Sequence, residues 1–196
     1  MPVSQGLRDR LAFLRGYLRA PGAVGSVTPS SLSLGREMAR LAGIRNARTV
    51  AELGAGTGAV TRALLEALPA DGRLWAFEID GEFAQTLRAR FDDRRLKVVE
   101  RPAADAPVVA EQAGIERFDA VVSALPFSLL GQEATRALLD AAARAMAPGA
   151  PLVALQYHPW FLAPLLRERF GTVERRMWLW NVPPTVLLRV RAAAAR

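Results

Sequence analysis

The stretch TVAELGAGTG, Thr49 to Gly58, is a short hydrophobic run that ends in an acid and opens into a loop with alternating glycines. Val50, Ala51 and Leu53 read as a short buried strand. Gly54, Gly56 and Gly58 let the backbone turn sharply and let a ligand approach where a Cβ would otherwise stand. Thr57 opens the next element, and residues 59 to 68 (AVTRALLEAL) carry apolar positions at helical spacing. Strand, glycine turn and helix N-terminus follow one another in the order a nucleotide-type ligand needs. Exposed amides at that helix start attract a carboxylate or phosphate.

The glycine spacing is GxGxG, not the GxGxxG of the dinucleotide fingerprint, and Glu52 directly precedes it. That combination points to S-adenosylmethionine (SAM) rather than NAD. Leu74 to Phe77 form a second hydrophobic strand ending in Glu78, twenty residues beyond Gly58, where a carboxylate can accept from both ribose hydroxyls. A glycine triplet alone follows the first strand of many parallel sheets. Joined to Glu52 and Glu78, each at a strand end, it favours the cofactor.

These residues resemble the class I SAM-dependent methyltransferases from about Val27 onward, and within them most resemble the bacterial phosphatidylethanolamine N-methyltransferases. The matching segments are GAVGSVTPSS at 22 to 31, AELGAGTG at 51 to 58, AFEID at 76 to 80, FDAVVSALPF at 118 to 127 and NVPPTVLLRVR at 181 to 191. The resemblance implies an α/β fold with a seven-stranded, mostly parallel sheet whose last strand inserts antiparallel. Helices cover both faces, with extra N-terminal helices over the cofactor. It implies methyl transfer to the amine of phosphatidylethanolamine, repeated on the mono- and dimethyl products to give phosphatidylcholine, with S-adenosylhomocysteine released. The implied cofactor site comprises Glu52, Gly54, Gly56, Thr57, Gly58, Glu78, Ile79, Ala104, Asp105 and Ser123. The family often has an acid after the third strand to bind the adenine amino group. Here Pro102 stands at that place, leaving Asp105 or the amides near Ala103 and Ala104.

With 196 residues, 51% of them hydrophobic, the chain has enough material for one domain with a sizeable core. No run of eighteen or more apolar residues occurs, and the N-terminus lacks a signal-peptide core. A cytoplasmic monomer, held peripherally at the inner face of the cytoplasmic membrane, is expected. No cysteine and a single histidine, His158, rule out disulfides, thiolate nucleophiles and multi-histidine metal sites, so no metal is expected. The net charge of +7 is carried almost wholly by arginine, Lys97 being the one lysine. Guanidinium groups pair with phosphates through two parallel hydrogen bonds, which suits RNA, DNA or an anionic lipid surface. Codon bias explains the charge equally well.

Residues 4 to 19 read as an amphipathic helix with Leu7, Leu11, Leu14 and Leu18 on one stripe, flanked by Arg8, Arg15 and Arg19. The pattern fits a membrane-contact helix and an ordinary packed helix equally; the resemblance tips the reading, so residues 1–22 are set apart as a membrane-contact helix and 23–196 as the catalytic domain. Each arginine near an anionic leaflet adds about 1 kcal/mol. Pro29, Ser30 and Ser31 start a further helix to about Leu41. Ser26 and Ser30 are candidate contacts to a substrate phosphate, though Ser30 or Ser31 also suits a plain helix cap.

Phe118 to Val122 make the fourth strand, followed by SALPF at 123 to 127. In amino-methylating relatives an NLPY-like turn here holds the target nitrogen through a carbonyl and a side chain. Ala124 replaces the asparagine, which disfavours adenine and makes nucleic acid an unlikely partner, while Leu125, Pro126 and Phe127 keep the turn and an apolar wall. A helix from about Gln132 to Met146 precedes a fifth strand, Leu152 to Gln156. At its end Tyr157 and His158 point to the same crevice, as candidate catalytic residues that remove an amine proton or hold an ammonium by cation-π attraction. Trp160 places an apolar side chain nearby. Segments 172 to 180 and 185 to 191 read as two closing antiparallel strands. Arg189 is a candidate phosphate contact, or simply a solvated edge residue. An rRNA adenine N-methyltransferase and a silent peripheral lipid-binding protein remain as alternatives.

Overall fold

A computed structural model describes residues 29–157, 159–179 and 184–194. The expected helix at 4–19, Ser26 and His158 lie outside these residues.

Seven strands form one sheet in the order β3-β2-β1-β4-β5-β7-β6. They are β1 (Thr49–Leu53), β2 (Arg73–Phe77), β3 (Leu96–Val99), β4 (Ala120–Ser123), β5 (Pro151–Gln156), β6 (Glu174–Trp178) and β7 (Thr185–Arg191). The first five pair parallel, and β7 enters antiparallel between β5 and β6. The strand order reverses beside β1, whose two neighbours are β2 and β4. Open α/β sheets bind ligands at such a point, outside the C-terminal strand ends.

Residues of β1 alternate between two covered faces. Val50 packs with α1 (Pro29–Leu41) and α2 (Ala59–Ala67), through Leu34, Met38 and Leu64. Helix α3 (Gly81–Arg90) adds Leu87 over Ala76. Ala51 and Leu53 face the larger cluster, covered by α4 (Ala106–Gln112), α5 (Phe127–Leu130), α6 (Gln132–Ala145) and α7 (Pro159–Phe170). Trp75 and Phe118 meet edge-to-face there at 5.7 Å. Gly35 brings α1 against α2: a Cβ at that position would stand 2.8 Å from Ala63 Cβ.

The seven strands and the antiparallel insertion agree with the sequence reading. Helix α2 begins at Ala59 rather than Thr57, because Gly56 and Gly58 are both left-handed, with φ of 53° and 84°. Besides the one-turn α5, the sequence pattern hides two helices. Helix α4 is short and follows a proline-alanine run, and α7 carries Pro164 in its interior, where proline normally removes a hydrogen bond and argues against a helix. Leu162, Leu165 and Leu166 of α7 are core residues.

Candidate active site

The glycine loop hangs on the end of β2. Gly54 N and Ala55 N both donate to Phe77 O, at 3.0 and 3.1 Å, and Gly56 N donates to Glu78 Oε2 at 2.8 Å. Glu78 Oε1 in turn accepts from Asp80 N at 2.8 Å. Three successive amides of the loop are thus held by two residues of the neighbouring strand end. Glu78 is 3% exposed, and burial pushes its pKa up while the amides of Asp80, Gly56 and Ile79 pull it down. A carboxylate has about four acceptor sites, so these amides leave one or more for a ligand hydroxyl. Asp80 caps α3 through Oδ1, accepting from Glu82 N at 2.9 Å. The far end of the loop is tied down by Arg90, whose Nη1 donates to Thr57 O at 2.8 Å.

Glu52 sits on the α2 face of β1, where Thr61 Oγ1 donates to its Oε2 at 2.7 Å. Its Oε1 is buried with no hydrogen-bond partner. Desolvation raises its pKa to about 7, with a further push from Glu78.

The turn after β4 lies against the glycine loop: a Cβ on Gly54 would collide with Leu125 Cδ2. Ser123 is fully buried; its Oγ donates to Leu53 O at 3.2 Å and accepts from Leu125 N at 3.3 Å, so it binds the turn to β1. Leu125 and Pro126 are half-buried at the rim. Phe127 is not a wall of the crevice: it opens α5 with 1% exposure, inside the main core. At the end of β5, Gln156 Nε2 donates to Leu125 O at 2.9 Å. The sequence reading passes over Gln156, which is the terminal residue of a strand and carries no motif. Its signal is a polar residue at 4% exposure bonded to the turn after β4.

Tyr157 follows at 46% exposure and Trp160, on the first turn of α7, at 75%. The rim therefore brings together Glu52, Gly54, Gly56, Glu78, Ser123, Leu125, Pro126 and Tyr157. Ile79 is half-buried beside Glu78. Ala104 is exposed within a 3-10 turn, Ala103–Asp105, and the Asp105 carboxylate pairs with Arg101 at 3.0 Å. Ser30 lies inside α1, which begins at Pro29, and not at its cap position.

Arg189 requires a correction. It is opposite Val153 in the β5–β7 register and pairs with Glu174 at 2.9 Å. Its side chain helps line a cavity of about 190 Å³ with Asn46, Asp119 and Pro151, at the N-terminal edge of the parallel strands. That is the edge opposite the glycine loop, because β7 runs antiparallel and carries its arginines away from the rim.

Residues 51–152 match the family model described as a methyltransferase domain. An ornithine lipid N-methyltransferase of Singulisphaera acidiphila is 34% identical over 179 residues, covering 91% of this chain and 93% of its own.

This chain belongs to the class I SAM-dependent methyltransferases.

Two solved structures set the fold likeness. The N-methyltransferase NodS of Bradyrhizobium japonicum WM9, in complex with S-adenosylhomocysteine, superposes with a TM-score of 0.71 at 18% identity, covering 93% of this chain and 98% of that one. An O-methyltransferase of Bacillus cereus, also with S-adenosylhomocysteine, gives 0.71 at 17% identity over 97% and 92%. One fold carries both nitrogen and oxygen acceptors, so the methyltransferase fold alone does not name the acceptor.

The residues present fit the cofactor. A Cβ on Gly56 would meet nothing within 4 Å, whereas one on Gly58 would stand 2.6 Å from Phe91 Cε2 and 2.8 Å from Leu87 Cδ2. Gly58 is glycine for the fold. Gly56, left-handed with φ of 53°, faces open space at the loop, so a ligand can approach its backbone without meeting a side chain. Two buried carboxylates beside that loop, one with an orphaned oxygen, suit a cationic ligand carrying ribose hydroxyls.

Proposed function

We propose that this methyltransferase alkylates the amine of a membrane-lipid headgroup. The observation that carries the proposal is the 34% identity to an ornithine lipid N-methyltransferase across 91% of the chain, far beyond residues 51–152. The ornithine headgroup is the first choice of acceptor. The ethanolamine headgroup of phosphatidylethanolamine, implied by the resemblance of the outer segments, is the second. Both offer a primary amine close to an anionic group.

SAM, when bound, supplies a sulfonium-activated methyl group and is left as S-adenosylhomocysteine once the amine nitrogen has taken the methyl. The work of the protein is alignment and exclusion of water. Glu78 and the glycine loop hold the cofactor side. The Ser123–Leu125 turn, packed on Gly54, holds the acceptor side against it. A lipid amine arrives as an ammonium and attacks only after losing a proton; Tyr157, His158 or a water takes it.

Tyr157, Trp160 and Leu179 are exposed at 46, 75 and 66%, and all follow strand ends at the same rim. A Trp and a Tyr beside the acceptor turn suit a headgroup-level contact, where such side chains are favoured. The lipid therefore enters from that rim while its chains stay in the bilayer, and no described helix is long and apolar enough to cross one.

Acceptor competition tests the reading. Vesicles of phosphatidylglycerol doped with ornithine lipid or with phosphatidylethanolamine are incubated with methyl-labelled SAM. Label in either doped lipid supports a lipid amine, and the ratio of rates assigns the headgroup. Label in neither would overturn the proposal.

A further inference from the structure

Gln156 closes β5 directly beneath the acceptor turn, and both ends of it are fixed. Its backbone pairs with Val186, and Thr185 Oγ1 donates to Gln156 O at 2.9 Å. Its side-chain Nε2 donates to Leu125 O at 2.9 Å and also to Leu155 O. Both partners are carbonyl oxygens, so only one orientation of the amide is allowed: exchanging N and O would set lone pairs against lone pairs. The donor end of the amide is fully used. Its Oε1 accepts from no described residue, and it is not one of the four described side-chain atoms sealed without a partner, which are Glu52 Oε1, Arg62 Nε, Trp178 Nε1 and Arg189 Nε.

The turn carbonyl itself is no longer available. Leu125 O accepts from Phe127 N at 2.9 Å as well as from Gln156 Nε2, which takes both lone pairs. Position 124 is alanine and offers no side-chain oxygen. An amine brought to this turn therefore finds neither of those two acceptors, whereas Gln156 Oε1, on the amide that anchors the turn, accepts from no described residue.

We propose that Gln156 Oε1 accepts an N–H of the acceptor amine and so aims the nitrogen lone pair toward the cofactor side of the turn. The assignment rests on the lipid-amine reading above. It has a signature that a structural role lacks, because the number of N–H groups changes as methylation proceeds. A neutral unmethylated amine has two, a monomethyl amine one and a dimethyl amine none. The hydrogen bond assists the first two transfers and is absent from the third.

The test uses the full-length enzyme and its Gln156→Met variant, which keeps the volume and removes the amide. Acceptors are phosphatidylethanolamine and its N-monomethyl and N,N-dimethyl forms in vesicles, with the same series of ornithine lipid. Where a member binds without turnover, its inhibition constant replaces kcat/KM. Loss of the Leu125 anchor lowers all three values alike and cancels in their ratio. The expected result is a further fall of about tenfold, the fold-change of one hydrogen bond, for the two N–H-bearing acceptors relative to the dimethyl one. Gln156→Asn, which keeps an amide that is too short to reach, should shift the ratio in the same direction if the Met variant folds poorly; SAM binding by calorimetry reports the fold of both. A uniform fall, or no change, across the three acceptors overturns the role of Gln156 while leaving the lipid-amine reading intact. Absence of wild-type transfer to any of these lipids removes that reading, and this inference with it.

Discussion

Gly56 and Gly58 are two residues apart, share a left-handed backbone, and serve different ends. Alanine at Gly56 meets no neighbour, so its cost to the fold is the left-handed strain alone, about 1 kcal/mol. Alanine at Gly58 adds overpacking against Phe91 and Leu87, raising the cost to roughly 2–4 kcal/mol. Denaturant melts should therefore show Gly58→Ala as the less stable protein, while calorimetry should show Gly56→Ala as a folded protein that has lost SAM affinity. Glu52 adds a pH signature at the same loop. Its carboxyl, raised by burial from 4.5 to about 7, holds its proton more tightly in the native state than in the unfolded chain. Stability contributed at this site consequently falls as pH rises from about 4.5 to about 7, by on the order of 3 kcal/mol, and stays low above that. Glu52→Gln should flatten the slope of unfolding free energy against pH across this window; an unchanged slope would place the titration elsewhere.

Among the elements, the β4 turn ties β1 to the glycine loop, with Leu125 packed on Gly54. Ser123 ties Leu53 O to Leu125 N, so Ser123→Ala frees the turn and leaves a half-buried amide unpaired, at about 1–3 kcal/mol. The expected outcome is a fall in kcat for methyl transfer with SAM affinity kept within about threefold, measured by steady-state kinetics beside calorimetry. This element also marks where the sequence was legible and where it was not. Glu52, the glycines and Glu78 are readable because each follows a hydrophobic run, and strand ends in a parallel sheet share one rim by topology. Ser123 is readable as a site residue, but not that its hydroxyl turns inward to hydrogen-bond the backbone. Gln156 stays hidden, since its partner Leu125 lies 31 residues away and no local pattern records that contact. Arg189 misleads because alternation along β7 gives its face, while its height in the sheet depends on pairing with Val153 and Glu174.

Across the whole molecule, one rim carries the loop that suits SAM, the β4 turn packed on that loop, and the exposed Tyr157 and Trp160. The opposite edge carries Arg189 and Asp119 beside a small cavity. Such an arrangement favours an acceptor that reaches the enzyme at a surface, because the residues that would meet a headgroup adjoin those that would align its nitrogen. The most direct measurement is methyl transfer from labelled SAM offered at once to amine-lipid vesicles and to ribosomal RNA. The account predicts label in the lipid amine, with RNA at background. Label in RNA with none in lipid would contradict it.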